Sequence, residues 1–271
     1  IKDRIKGEKV LFWKTFNEEG KVGNLIEMLH KNGLCKLKGE KIDEKSIKAG
    51  EILGECIDVR LFGGTFTVTG NNFSVTGPVQ ISYGLDIYGK GNAVSSQLGT
   101  PKAVLKKSGE EAKIDYSREA TTLGNEVRLT EAHYAYDFTI NPNNLRQDSY
   151  LQEVAKEHSK ISFADIDMFK EALRFAPGYL ISTTKAGAFT ECCIYAEFEM
   201  EDGKVPLIPI LKNMVKIEEN GDKRKLSISD AIKALKERGA KKIEVYYEPG
   251  CLEIEPVDGA DFLHIYTGKK I

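Results

Sequence analysis

Between two β-type runs, residues 79–87 and 132–140, stand about forty residues (88–130) with no sustained helical or strand period. Gly89, Gly91, Gly99, Gly109 and Gly124 are scattered through them among Ser, Lys and Thr. A compact domain seldom holds so long a stretch without secondary structure, so the segment is expected to be a functional insertion into one fold. The remaining chain must close around it. Its 271 residues suffice for one large domain or two small ones, and no internal repeat or low-complexity tract divides them.

Residues 1–7 read as the tail of a helix and 10–16 as a short apolar run. Val22, Leu25, Ile26 and Leu29 have helical spacing, with Gly33 as the stop, which predicts a helix over 22–32. Lys36 and Lys38 lie on a short strand-like piece, and 45–53 reads as a helix leading into Asp58. Residues 65–69 and 73–75 predict a hairpin around Gly70, Asn71 and Asn72. Ser162 suits the N-cap of a helix over 163–175, stopped by Pro177 and Gly178. Residues 189–200, 207–217 and 242–247 read as strands, and Ser229 as the cap of a helix that Gly239 ends.

Basic and acidic residues number 39 and 41, a net charge of −2. That balance argues against a uniformly basic nucleic-acid binder, but binding depends on the local field of a groove. Lys102, Lys106, Lys107, Lys113, Arg118 and Arg128 fall in one segment, whereas most acidic runs follow Glu191. No eighteen-residue apolar run predicts a membrane helix. The opening IKDRIKGEKV has no apolar core, so no signal peptide is expected, and the missing initiator Met suggests a trimmed start. Five cysteines in spacings that fit no zinc site read as small apolar core residues of a cytoplasmic protein. No metal or cofactor is expected.

The motif of greatest interest spans residues 58–86, DVRLFGGTFTVTGNNFSVTGPVQISYGLD. Arg60 beside Gly63, Gly64 and Thr65 on strand-like sequence suits an anionic backbone. Glycine lets the backbone approach closely, and Arg presents a planar fork to phosphate. The alternative is a buried Asp58–Arg60 ion pair beside a β-bulge. Thr183, Thr184 and Lys185, followed by Gly187, form a second phosphate candidate, with a solvated turn as alternative. Lys102, Lys106, Lys107, Arg118 and Arg128 form a third, with a solvated surface as alternative. Catalytic signals are thin. His30, His133, His158 and His264 lie on distinct elements, and neither a Gly-x-Ser-x-Gly elbow nor a Walker loop is present. Asp165 and Asp167 fall in a first helical turn, where the helix dipole accounts for them. Tyr246, Tyr247, Phe12 and Trp13 could stack bases but read more simply as core and rim.

DVRLFGG, then TG, then GPVQISYG; TLGNEVRLTEAHYAYDFTINPN at 122–143; and FKEALRFAPGYLISTTKAG at 169–187 occur in this order. Together they resemble the backbone subunit of type I CRISPR RNA-guided (Cascade) complexes, the "Cas-seven" family, most closely its I-B and I-C branches. The likeness covers residues from about Asp58 to Met200. It implies an α+β fold: a ferredoxin-like (RRM-like) palm with an antiparallel sheet, a thumb hairpin inserted at 88–131, and a finger region. Residues 1–271 would then be one modified palm domain, with 205–271 as a C-terminal extension. The palm's first strand would precede Ile1, and the family's Asn-Pro-Asn-Gly-Asp-like turn has no match here. The resemblance implies a non-catalytic subunit that polymerises along CRISPR RNA and supports its pairing with target DNA. Other copies of itself and further Cascade subunits are the implied partners, with no membrane role. The RNA contacts it implies are Arg60, Gly63, Gly64, Thr65, Lys102, Arg118, Arg128, Thr183, Thr184 and Lys185. Leu98 or Leu123 is the implied wedge between bases. Two alternatives stand beside it: a related endoribonuclease, for which no matching aspartate or His/Tyr pair can be placed, and an oligomeric scaffold without nucleic acid.

Overall fold

A computed structural model describes residues 9–12, 23–39, 41–67, 72–101, 105–108, 111–114, 121–146, 161–179, 187–199 and 206–271. They form a mixed α+β fold of small sheets. The expected helix tail at 1–7, most of the 10–16 run, and the Gly70 and Asn71 turn lie outside the described residues.

Helix α1 (Leu25–Lys31) begins at Asn24, whose side chain accepts from Glu27 N at 3.0 Å while the Glu27 carboxylate accepts from Asn24 N at 3.3 Å. This reciprocal cap satisfies two orphan donors. Strands β1 (Lys36–Lys38) and β2 (Lys41–Asp43) pair antiparallel. Helices α2 (Ala49–Glu55) and α3 (Ile57–Phe62) follow almost without a break, so DVRLF is helical and not strand-like. Tertiary packing decides this. Ile57 and Leu61, one turn apart, face Phe169, while Val59 joins Leu29, Ile52 and Phe66 in a separate cluster. Asp58, in the first turn of α3, accepts from Leu11 N (3.0 Å) and Phe12 N (2.7 Å).

The expected hairpin is present as β3 (Gly63–Phe66) and β4 (Phe73–Thr76), with Phe66 and Phe73 stacked at 4.4 Å. The run at 79–87 is two strands, β5 (Val79–Ile81) and β6 (Leu85–Asp86). Residues 88–130 then hold strands although their sequence shows no strand period. Strands β7 (Ala93–Pro101) and β10 (Thr121–Leu129) pair antiparallel over nine rungs, and β8 (Leu105–Ser108) pairs with β9 (Glu111–Ile114) between them. At its described root Val94, Val127 and Leu129 are exposed, and a strand without a buried face carries no hydrophobic alternation.

Strands β11 (Tyr134–Ala135) and β12 (Phe138–Ile140) pair with β6 and β5 respectively. Both pairs are interrupted at the same place. There Ser82 N donates to Asp137 O (2.8 Å), while Asp137 N donates to the Ser82 hydroxyl (2.9 Å), a side chain standing in for a ladder carbonyl.

Helix α4 (Phe163–Tyr179) starts where Ser162 predicts. Asp165 N donates to Ser162 Oγ (3.1 Å), and the Asp165 carboxylate accepts from Ser162 N (2.8 Å). The helix runs past its expected stop and contains Pro177. Proline lacks the N–H that would serve the carbonyl four residues back, and the Thr190 hydroxyl donates to that Leu173 carbonyl instead, at 2.7 Å.

The C-terminal part contains β13 (Cys192–Glu197), β14 (Lys216–Asn220), β15 (Lys223–Ser227), α5 (Ser229–Glu237), β16 (Lys242–Tyr247), β17 (Leu252–Glu253) and β18 (Asp261–His264). They form two three-stranded sheets, β13-β16-β18 and β14-β15-β17, each with one antiparallel and one parallel pair. Residues 207–217 are not a strand. A 3₁₀ turn at Leu211–Asn213 turns Ile208 and Leu211 toward the core, and β14 begins only at Lys216. Ile228 stands at the N-cap of α5 with no side-chain cap, so Ser229 is the first helical residue and not the cap. Ile228, Ile232, Leu235, Ile243 and Val245 form this part's core, against which Ile87 and Tyr88 pack from the root of the ribbon.

Candidate nucleic-acid interface

Arg60 comes from α3 and points inward, 5% exposed. Its Nε and Nη2 donate to Asp165 (3.1 and 2.7 Å), and Nη1 donates to the Leu53 and Gly54 carbonyls (3.1 and 2.7 Å). Burial works to raise the Asp165 pKa, but the bonds from Arg60 and Ser162 outweigh it and hold the carboxyl below its usual range. The pair ties α2, α3 and α4 together. The ion-pair alternative is therefore right in kind, but the partner is Asp165 and not Asp58. A guanidinium so enclosed serves the fold, where the sequence reading places Arg60 in an RNA groove.

The glycine pair also answers to packing. Gly63 caps α3 at φ +77°, and a Cβ there would stand 2.0 Å from the Val75 carbonyl oxygen. At Gly64 a Cβ would lie 2.9 Å from the Phe12 ring. Thr65 differs: its exposed hydroxyl lies 3.2 Å from that of Ser74 on the neighbouring strand. Arg128 is exposed on β10, opposite Val94. Leu98 and Leu123 occupy adjacent rungs of the ribbon, opposite Gly124 and Gly99. Lys102, Arg118, Thr183, Thr184 and Lys185 lie outside the described residues.

An ionic cluster that the sequence did not reveal secures the root of the ribbon. His133 Nδ1 lies 2.6 Å from Glu191 and Nε2 lies 2.8 Å from Glu131. Arg224, on β15, grips Glu131 with Nε and Nη2, both at 2.7 Å. A carboxylate at each ring nitrogen suits the imidazolium, the form with two donors. Burial works to lower its pKa, but the bonds to Glu131 and Glu191 prevail and raise it. Arg224 and then His133 pull Glu131 down to about 2. Tyr88 sits edge-on to His133 at 5.4 Å and donates to Glu219 at 2.8 Å. Glu131 and His133 directly follow β10, a proximity visible in the sequence, but nothing there links them to Arg224 or Glu191. The cluster fixes where the ribbon leaves the body, and it holds no nucleophile.

All five cysteines are free, with Cys35 and Cys56 buried and the other three partly so. Burial pushes the Cys56 thiol up to about 12 and that of Cys193 to about 11, which makes both poor nucleophiles. Among the described residues no group of three or more His, Cys, Asp or Glu could hold a metal ion, and no helix is long and apolar enough to cross a membrane. No curated protein matches the chain. Among protein families, that of CRISPR-associated protein Cas7 matches it over residues 1–236.

Proposed function

The chain belongs to the CRISPR-associated Cas7 family, and from that premise we propose that it is a non-catalytic, CRISPR RNA-binding backbone subunit of a type I surveillance complex. The observation that carries this reading is the nine-rung ribbon of β7 and β10. At about 3.4 Å per residue it reaches about 30 Å. Two strands alone are marginal in water, and Val94, Val127 and Leu129 near its root are exposed. Such a ribbon gains stability when RNA and a neighbouring copy cover it. In this reading the ribbon is the thumb, the short sheets around it belong to a ferredoxin-like palm, and the C-terminal sheets are an extension.

Copies would then stack head to tail in an open helical array, each holding a segment of guide by its phosphates. The bases stay available to target DNA, and specificity resides in the RNA. Thr65 and Arg128, with Lys102, Arg118, Thr183, Thr184 and Lys185, are the proposed backbone contacts, Gly63 and Gly64 shape the hairpin beside them, and Arg60 serves the fold. A filter-binding titration with CRISPR RNA at several salt concentrations tests this. Binding should weaken steeply as salt rises, because phosphate neutralisation releases counterions. Absent or salt-insensitive binding would refute it.

A further inference from the structure

Two tyrosines at the interruption of the β5–β12 and β6–β11 pairs are exposed yet held still. Tyr83 is 78% exposed and Tyr136 57%. Lys212, distant in sequence, is buried beneath Tyr83, its ammonium 3.6 Å from the ring centroid. The ammonium also donates to the Tyr83 carbonyl (2.8 Å) and the Ser82 hydroxyl (3.1 Å), and Lys212 N donates to Asp137 Oδ1 (3.0 Å). Burying a lysine is unfavourable unless its charge finds partners. Here the partners are a carbonyl, a hydroxyl and the face of an exposed ring, a cation–π contact. Tyr136 is held by another device. It lies so close against Gly84 that a Cβ there would come within 2.6–2.7 Å of three of its atoms. Only glycine permits that approach.

We infer that Tyr83 and Tyr136 form a preorganised stacking platform for unpaired nucleobases, with Lys212 as its positioning residue. This rests on the RNA-binding reading and adds to it a subsite that touches bases where the other contacts touch phosphates. A pinned ring loses little entropy on binding, so the face of Tyr83 turned away from Lys212 is ready to stack. The cation beneath draws electron density from the ring, which favours stacking on electron-rich bases. In the chain the tyrosines neighbour Ser82, Gly84 and Asp137 as well as the exposed Ile81, Leu85 and Tyr134. Stacking is indifferent to sequence, as a guide-binding protein requires. The platform also adjoins β6 and β11, the strands that lead into and out of the ribbon.

The test uses the 271-residue chain and a fluorescein-labelled single-stranded oligoadenylate, read by anisotropy at several salt concentrations. Replacing Tyr83 and Tyr136 by Ala should weaken binding by about 5- to 150-fold per ring. The salt slope should not change, because no phosphate contact is lost. Tyr83→Phe should retain binding, Lys212→Met should lose part of it, and an abasic strand of equal length should not distinguish wild type from the alanine variant. If the alanine variant, folded by circular dichroism, binds oligoadenylate like wild type, the platform is refuted and the RNA-binding reading stands. If wild type binds no RNA, both fall. If the alanine variant instead loses self-association without RNA, the rings are a protein interface and the inference is wrong.

Discussion

Asp165→Ala separates a structural Arg60 from an RNA-contacting one. The substitution removes both carboxylate bonds to a guanidinium that stays 5% exposed, so a buried charge loses its counter-ion. Breaking a buried pair from one side costs about 3–5 kcal/mol. Losing the carboxylate that accepts from Ser162 adds roughly 0.5–1 kcal/mol by weakening the start of α4. The sum of about 3.5–6 kcal/mol should lower the thermal midpoint by about 10 °C for a chain of this size. Circular dichroism with urea and thermal melts reads it directly. The folded pKa of Asp165 is depressed, so its contribution is full above the ordinary carboxyl pKa and is lost as pH falls through the lower folded value. The wild-type and variant stabilities should therefore converge in acid. An apolar double variant, Arg60→Met with Asp165→Leu, should recover most of the loss and still bind RNA. A destabilisation below about 1 kcal/mol, or a well-folded double variant that no longer binds RNA, would refute the assignment.

The ionic cluster at the ribbon's root has a pH window. His133, with its pKa raised, contributes fully below about 6.5 and loses its contribution as pH rises through the folded value; Glu131, depressed to about 2, contributes above about 4.5 and fails in strong acid. A spin-label distance between ribbon and body should thus be narrowest between these limits and should broaden at high pH, whereas a His133→Gln variant should show no such rise. Gly63→Ala should cost about 1–3 kcal/mol from its backbone conformation alone, and more from the Val75 carbonyl, while Thr65→Ala should stay within about 0.5 kcal/mol of wild type and lower RNA affinity only. Thiol labelling of native protein should be slow at Cys56 and Cys193 and become fast on unfolding; rapid native labelling would contradict their burial. Labelled CRISPR RNA incubated with the protein should remain intact with or without magnesium, and cleavage above background would favour the endoribonuclease alternative.

What could be read from sequence was local. The cap at Ser162, the stop after α1, the β3–β4 hairpin and the strand at Lys242–Tyr247 each rest on a few adjacent residues whose chemistry admits one conformation. The misreadings have a common cause. DVRLF reads as a strand from its apolar residues, yet becomes helical because Ile57 and Leu61 face α4 while Val59 faces the opposite cluster. The ribbon left no period, and the side chains described at its root, Val94, Val127 and Leu129, are exposed. Arg60 beside two glycines looked like an anion site, but its partner Asp165 stands 105 residues away. Lys212 beneath Tyr83 and Arg224 against Glu131 are equally remote pairings, legible only once the chain is folded.

The most direct measurement concerns RNA that travels with the protein. The chain is produced together with a CRISPR transcript, purified, and treated with nuclease before the retained RNA is sized. A backbone subunit predicts protected fragments whose lengths rise in steps of one uniform increment, set by each added copy. Complete digestion, or fragments of random length, would contradict the account.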